Sequence, residues 1–193
     1  MKIPVLKKFS SIACCGIDCG LCPTYYTKGS SRCPGCGGPE FSNKHPSCSI
    51  LTCAVKKKGL ETCADCEQYP CEKIKLWDKA DSFVTHKVCL QNLNEIKQNG
   101  LEKFIEQQNI RVKILGTLLN SFNEGRSKSF FCIAATLLTI DDLNESIKKA
   151  QKKIGEENIR TNDLKSKSKI VKEILNQYAK SKNIELKLRR KTK

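Results

Sequence analysis

The segment that decides the architecture runs CGIDCGLCPTYY (Cys15–Tyr26), CPGC (Cys33–Cys36), CSILTC (Cys48–Cys53) and CADCEQYPC (Cys63–Cys71). Eleven of the thirteen cysteines fall between Cys14 and Cys71. Two thiols two or three residues apart on a tight turn can reach one ion, and two such hooks joined across a loop are what tetrahedral thiolate zinc requires. Gly16, Gly20, Pro23, Gly35, Gly37, Gly38, Pro39, Pro46 and Gly59 punctuate the same segment. It therefore cannot form long helices or a regular sheet. With few apolar side chains of its own, it needs a metal or a covalent staple to hold one fold.

Cysteine in this density also suits a secreted disulfide scaffold. Three features argue for a metal instead. The opening MKIPVLKKFSS carries lysines and no apolar run of signal-peptide length. No stretch approaches the roughly 18 apolar residues of a membrane span. The cysteines come as C-x-x-C pairs, which bind metal or cycle redox more often than they bridge. The expectation is a cytoplasmic protein without a membrane segment.

Ten cysteines take ligand-like positions: Cys15, Cys19, Cys22, Cys33, Cys36, Cys48, Cys53, Cys63, Cys66 and Cys71. Cys19/Cys22 and Cys33/Cys36 make one pair of hooks. Cys63/Cys66, with Cys53 and Cys71 close by, make a second group, which predicts two zinc ions. Cys15 and Cys48 are left for exchange, redox work or another grouping, and interleaved pairing is equally allowed by the spacing. An iron-sulfur cluster is the rival cofactor, because Cys15-x3-Cys19-x2-Cys22 has the spacing of radical S-adenosylmethionine enzymes. The rest of the chain lacks the strand-helix repeats of their barrel. Cys14, Cys89 and Cys132 have no ligand spacing, and Cys132 reads as a small buried side chain. His45 reads as an exposed loop residue three positions before Cys48. His86, flanked by Thr85 and Lys87, has no partner legible in the sequence, and no catalytic residue is identified.

The 193 residues carry 35 Lys+Arg against 20 Asp+Glu, a net charge of +15. Two thiolate-bound zinc ions would lower this to about +11. The excess suits an acidic protein, nucleic acid or an anionic metabolite as partner. Aromatics are only 6% and no nucleic-acid motif is present, so lysine on solvated helix faces explains much of the charge.

From about Glu72 the pattern turns helical, which divides the chain into a cysteine-rich module over residues 1–75 and a helical region over 76–193. Leu90, Leu93, Ile96, Leu101, Phe104 and Ile105 predict two short helices or one interrupted at Gly100. Ile114, Leu115, Leu118, Leu119 and Phe122 predict a further helix. Phe130–Ile140 reads as the most buried element. Thr139 with Asp142 predicts a capped start for a helix to about Ile154, and Ile170, Val171, Ile174, Leu175 and Tyr178 mark the last helix. The alternation from Ile184 to Arg189 allows a short C-terminal strand. The fold class is mainly α, with an irregular metal-stapled N-terminal module.

Arg126, Ser127, Lys128 and Ser129 precede the apolar helix and form a candidate anion site, since free backbone N–H groups and two cations could converge on a phosphate or carboxylate. The simpler account makes Ser127 or Ser129 the helix cap and leaves the cations solvated.

The cysteine motifs resemble those of small cysteine-rich bacterial and archaeal proteins grouped under a domain of unknown function. Such proteins share a start like CGIDCGLCPTY, a hook like CPGC, then C-x-I-x-x-C-A-x-x-K-G (Cys48–Gly59) and C-x-x-C-x-x-x-P-C (Cys63–Cys71). The likeness runs on through His86-Lys87 and NGLEKFIEQQ to GRSKSF. The resemblance implies zinc binding and no established activity, hence an uncharacterised binding or adaptor protein. Some members carry a further zinc ribbon after the NGLE segment, whereas here that half holds only Cys89 and Cys132.

Overall fold

A computed structural model of the chain describes residues 7–189. These residues form a mainly α-helical protein, with no strand among them. Two short helices, α1 (Phe41–Lys44) and α2 (Ser49–Leu51), lie in the cysteine-rich segment. The long ones follow: α3 (Cys89–Asn99), α4 (Leu101–Ser121), α5 (Lys128–Leu137), α6 (Ile140–Glu156) and α7 (Leu164–Ser181). The chain divides into two units, one of residues Met1–Gln108 with Leu188–Lys193 and one of Asn109–Lys187, with the boundary inside α4.

In the first unit the cysteine-rich segment has only short helical turns, at Cys19–Leu21, Pro23–Tyr26, Thr52–Lys57 and Cys63–Asp65. Its core combines Ile12, Phe41, Ile50, Leu51 and Ile74 with Leu93 and Ile96 of α3 and Phe104 and Ile105 of α4. Apolar surface supplied by α3 and α4 thus covers a segment that has little of its own. Gly16 sits at φ +82°, and a Cβ there would run into the Cys89 carbonyl and Leu93. Its own carbonyl accepts from Asn92 Nδ2 at 2.9 Å. Only glycine allows the cysteine loop to lie this close to the start of α3.

The helical pattern read from Glu72 onward begins later than expected. Residues 72–88 are turns and bends, and the first long helix starts at Cys89. Asp81 accounts for part of this, because its carboxylate accepts the His86 N–H at 2.8 Å and so draws the backbone away from helical pairing. Gly100, at φ +90°, separates α3 from α4 as the interrupted pattern predicts. The two helices expected over Leu101–Ile105 and Ile114–Phe122 are one continuous helix, α4, since nothing between them breaks the ladder.

The second unit is built from the rest of α4 and from α5 to α7, with α6 and α7 packed along each other. Phe131 to Thr136 of α5 are all buried, as the apolar run requires. Arg111 donates to the carbonyls of Ala135 (2.9 Å) and Leu138 (2.6 Å), placing a cation on the orphan acceptors at the end of α5. Thr139 and Asp142 form a reciprocal capping box at the start of α6. Asp142 also binds Lys182, beyond the end of α7, at 2.5 Å. The strand allowed over Ile184–Arg189 does not form. Ile184 N–H donates back to Ala179, and Arg189 N–H donates to the Asp81 carboxylate, so both groups have partners other than a strand. No helix among the described residues is long and apolar enough to cross a membrane.

Candidate functional site

The ten candidate ligands gather around two cavities, both within the first unit. The smaller, of about 30 Å³, is lined by Cys53, Cys63, Cys66 and Cys71 with Lys58 and Tyr69. Cys53 reaches it from a π-helical turn over Thr52–Lys57, a widened geometry often found at functional sites. Cys63 begins a 3₁₀ turn capped by Thr62, whose hydroxyl accepts the Ala64 N–H. Lys58 Nζ donates to Cys66 Sγ at 3.1 Å and to Gln68 at 3.2 Å. That hydrogen bond from Lys58 lowers the Cys66 thiol below its ordinary range. Cys63 behaves oppositely: burial, then the neighbouring Cys71, Cys66 and Cys53, push it up to about 12. An accumulating negative charge at this spot is unfavourable until a cation balances it.

The larger cavity, of about 300 Å³, is lined by Cys14, Cys15, Cys19, Cys22, Cys33, Cys36 and Cys48. Both hooks, Cys19/Cys22 and Cys33/Cys36, therefore face one space. Cys15 and Cys48, unassigned by spacing, lie at the same cavity. Cys14 Sγ stands 4.0 Å from Cys36 Sγ, and Lys7, itself buried, directs its ammonium to the Ile12 carbonyl at 2.6 Å. The Cys14 thiol and then the Lys7 charge hold Cys36 down to about 6 despite burial. Burial pushes Cys15 up to about 12, and Cys19 upward as well. Cys48 accepts the Leu51 N–H at 3.4 Å as the cap of α2. Among the described residues no disulfide joins any of the thirteen cysteines. Among the described residues, no three Cys, His, Asp or Glu side chains stand ready-grouped to hold a metal ion.

Cys89 and Cys132 are buried, and burial pushes the Cys89 thiol up. His45 is half-buried, stacks on Phe41 with centroids 4.5 Å apart and lines the larger cavity, so it is more enclosed than a loop position suggests. His86 differs more from its sequence reading. It is buried, its Nε2 lies 2.9 Å from Ser82 Oγ, and its Nδ1 lies 3.2 Å from the Trp77 carbonyl. Trp77 stacks on the imidazole at 5.0 Å. Ser82, Trp77, Lys58 and Lys7 carry no spacing motif, and each acquires its role only through the fold.

At the Gly125–Ser129 segment, Asn123 Oδ1 accepts the N–H groups of Gly125 (3.1 Å) and Ser127 (3.2 Å). The Ser127 hydroxyl is buried, donates to Glu124 Oε1 at 2.8 Å and lies 2.9 Å from Ser168 Oγ. Ser127 occupies the cap position of α5 without a side-chain capping bond. Arg126 and Ser129 are exposed and Lys128 is half-buried. Of the four residues expected to meet an anion, Ser127 is held internally, with the Glu124 carboxylate beside it.

A family model described as "Protein of unknown function (DUF3795)" matches residues 11–76, the span that contains every cysteine lining the two cavities. No curated protein and no solved structure matches the chain.

Proposed function

We propose that the first unit is a thiolate metal module that binds two zinc ions and serves as a metal-stapled binding or adaptor protein. One observation carries this reading: Cys53, Cys63, Cys66 and Cys71, spread over 19 positions of chain, converge on a single small cavity with the Lys58 ammonium on Cys66. Four sulfur donors suit zinc, and a neighbouring ammonium offsets the net −2 of a four-thiolate site. Cys19, Cys22, Cys33 and Cys36 would hold the second ion at the larger cavity. Bound zinc supplies folding energy here, since thiols that burial keeps protonated become ligands only by releasing their protons to a metal.

A second reading concerns the larger cavity alone. Cys15, Cys19 and Cys22 line a space ten times the volume of the smaller one, which suits an iron-sulfur cluster better than a single ion. Full-length protein purified without oxygen distinguishes the two by metal content, acid-labile sulfide and absorption. Two zinc per chain, no sulfide and no visible band are expected, with Cys63→Ser losing one zinc and keeping the other. Iron with matching sulfide and a band near about 400 nm would replace the zinc reading at the larger cavity. Absence of stoichiometric metal of any kind would overturn both.

A further inference from the structure

The larger cavity has residues that metal binding does not use. Ser82, His86 and Trp77 line it together with the aromatic and aliphatic side chains of Phe83 and Val84. His86 Nδ1 lies against the Trp77 carbonyl at 3.2 Å, and a carbonyl can only accept, so that nitrogen carries the imidazole proton. Nε2 is then the lone-pair nitrogen, and it faces Ser82 Oγ at 2.9 Å. A nucleophile, a base within hydrogen-bond reach and a third group fixing the base's tautomer are the parts of an activated serine.

The surroundings hold this arrangement in place. Trp77 stacks on the ring at 5.0 Å and 22°. The His86 N–H is pinned by Asp81 at 2.8 Å, making Asp81 a positioning residue. Ser82 is exposed, so its hydroxyl is reachable, whereas His86 is buried. The indole Nε1 of Trp77 is buried without a hydrogen-bond partner. The cavity's volume of about 300 Å³ suits a small, mostly apolar molecule.

We propose that Ser82 and His86 form a nucleophile-base pair that acts on small esters or thioesters bound in this cavity. Ser82 Oγ bonds to the acyl carbon while its proton passes to His86 Nε2. The acyl-oxygen or acyl-sulfur bond then breaks, and the leaving alcohol or thiol takes that proton. Water attacks the acyl-serine with His86 again as base, releasing the carboxylic acid and restoring the hydroxyl. This activity does not depend on the metal reading.

The test uses the full chain as purified, a small alkyl fluorophosphonate, and mass spectrometry of the intact protein and its peptides. Phosphorus bonds to Ser82 Oγ and fluoride leaves. One adduct is expected, on Ser82, absent from heat-unfolded protein and from Ser82→Ala. His86→Gln should slow labelling by about 10²–10⁴-fold with unchanged circular dichroism. Should His86→Gln fail to fold, the wild-type pH profile decides. Labelling should rise as pH passes a value below 6.5, because burial lowers His86, with Asp81 and Arg189 the charges facing it. No adduct on Ser82, or a rate indifferent to both His86→Gln and pH, overturns the proposal. Metal content measured on the same sample keeps the readings apart, since labelling without metal counts only against the zinc module.

Discussion

Replacing Asp81 with Asn should destabilise the first unit by about 2 kcal/mol at pH 7. The Asp81 side chain is fully buried, and Arg189 bonds it through Nη2 to Oδ1 at 2.7 Å and through its backbone N–H to Oδ2 at 2.7 Å. The His86 N–H adds a third bond at 2.8 Å. Burial alone would raise this carboxyl, but the hydrogen bonds from Arg189 and His86 outweigh it and hold the group at about 2 against an ordinary 3.8. At about 1.36 kcal/mol per pH unit, that difference corresponds to roughly 2 kcal/mol of preference for the charged form. Arg189 is 34% exposed, so it recovers water when its partner is lost, and the cost stays below the 3–5 kcal/mol typical of a broken buried pair.

The assay is urea unfolding followed by the emission of Trp77, the chain's one tryptophan, which stacks on His86 in the same loop. With a slope of about 2 kcal/mol per molar urea, the midpoint should fall by roughly 1 M. The pH dependence has a fixed sign. A carboxylate whose folded value is depressed contributes stability above its unfolded value, and loses that contribution as pH falls through the folded one. The gap between wild type and Asp81→Asn should be full above pH 5, about half gone by pH 3 and closed below about 2. A gap under about 0.5 kcal/mol at pH 7, or one that stays constant from pH 7 to pH 3, would refute the reasoning.

Two further substitutions probe the scaffold. Gly16→Ala should cost more than about 2 kcal/mol, because it combines a left-handed backbone at φ +82° with a Cβ driven into the Cys89 carbonyl; a melting temperature within a degree or so of wild type would show that the loop can move away from α3. Thr139→Ala removes the hydroxyl that accepts the Asp142 N–H at 3.1 Å and should lower stability by about 0.5–2 kcal/mol. Calorimetry of the full chain measures it, and an unchanged transition would mean that Lys182 on Asp142 suffices to hold the start of α6.

Short-range order was legible in the chain itself. The capping box at Thr139 and Asp142, the break at Gly100, and the apolar faces of α5 to α7 follow from side chains within a turn or two of one another, where periodicity and capping chemistry act directly. The C-x-x-C hooks belong to the same class, because a hook is a local object. The sequence spacing also grouped Cys53 and Cys71 with Cys63 and Cys66, yet it left Cys15 and Cys48 unplaced. Only the fold brings those two to the larger cavity.

What the tertiary structure alone decided has a common cause. Asp81 meets Arg189 across 108 positions, and no local pattern marks either residue for the other. The loop closed by that pair fixes the His86 backbone, delays the first long helix to Cys89 and sets an imidazole against Ser82. Ser82 and His86 are four positions apart, but they meet on an irregular turn rather than a helix face, so the spacing carried no signal. The amino-acid sequence by itself determined a helical protein with a thiol-rich segment suited to metal. Burial and long-range pairing determined which thiols share a cavity, which of them stay protonated, and which neutral side chains stand beside them.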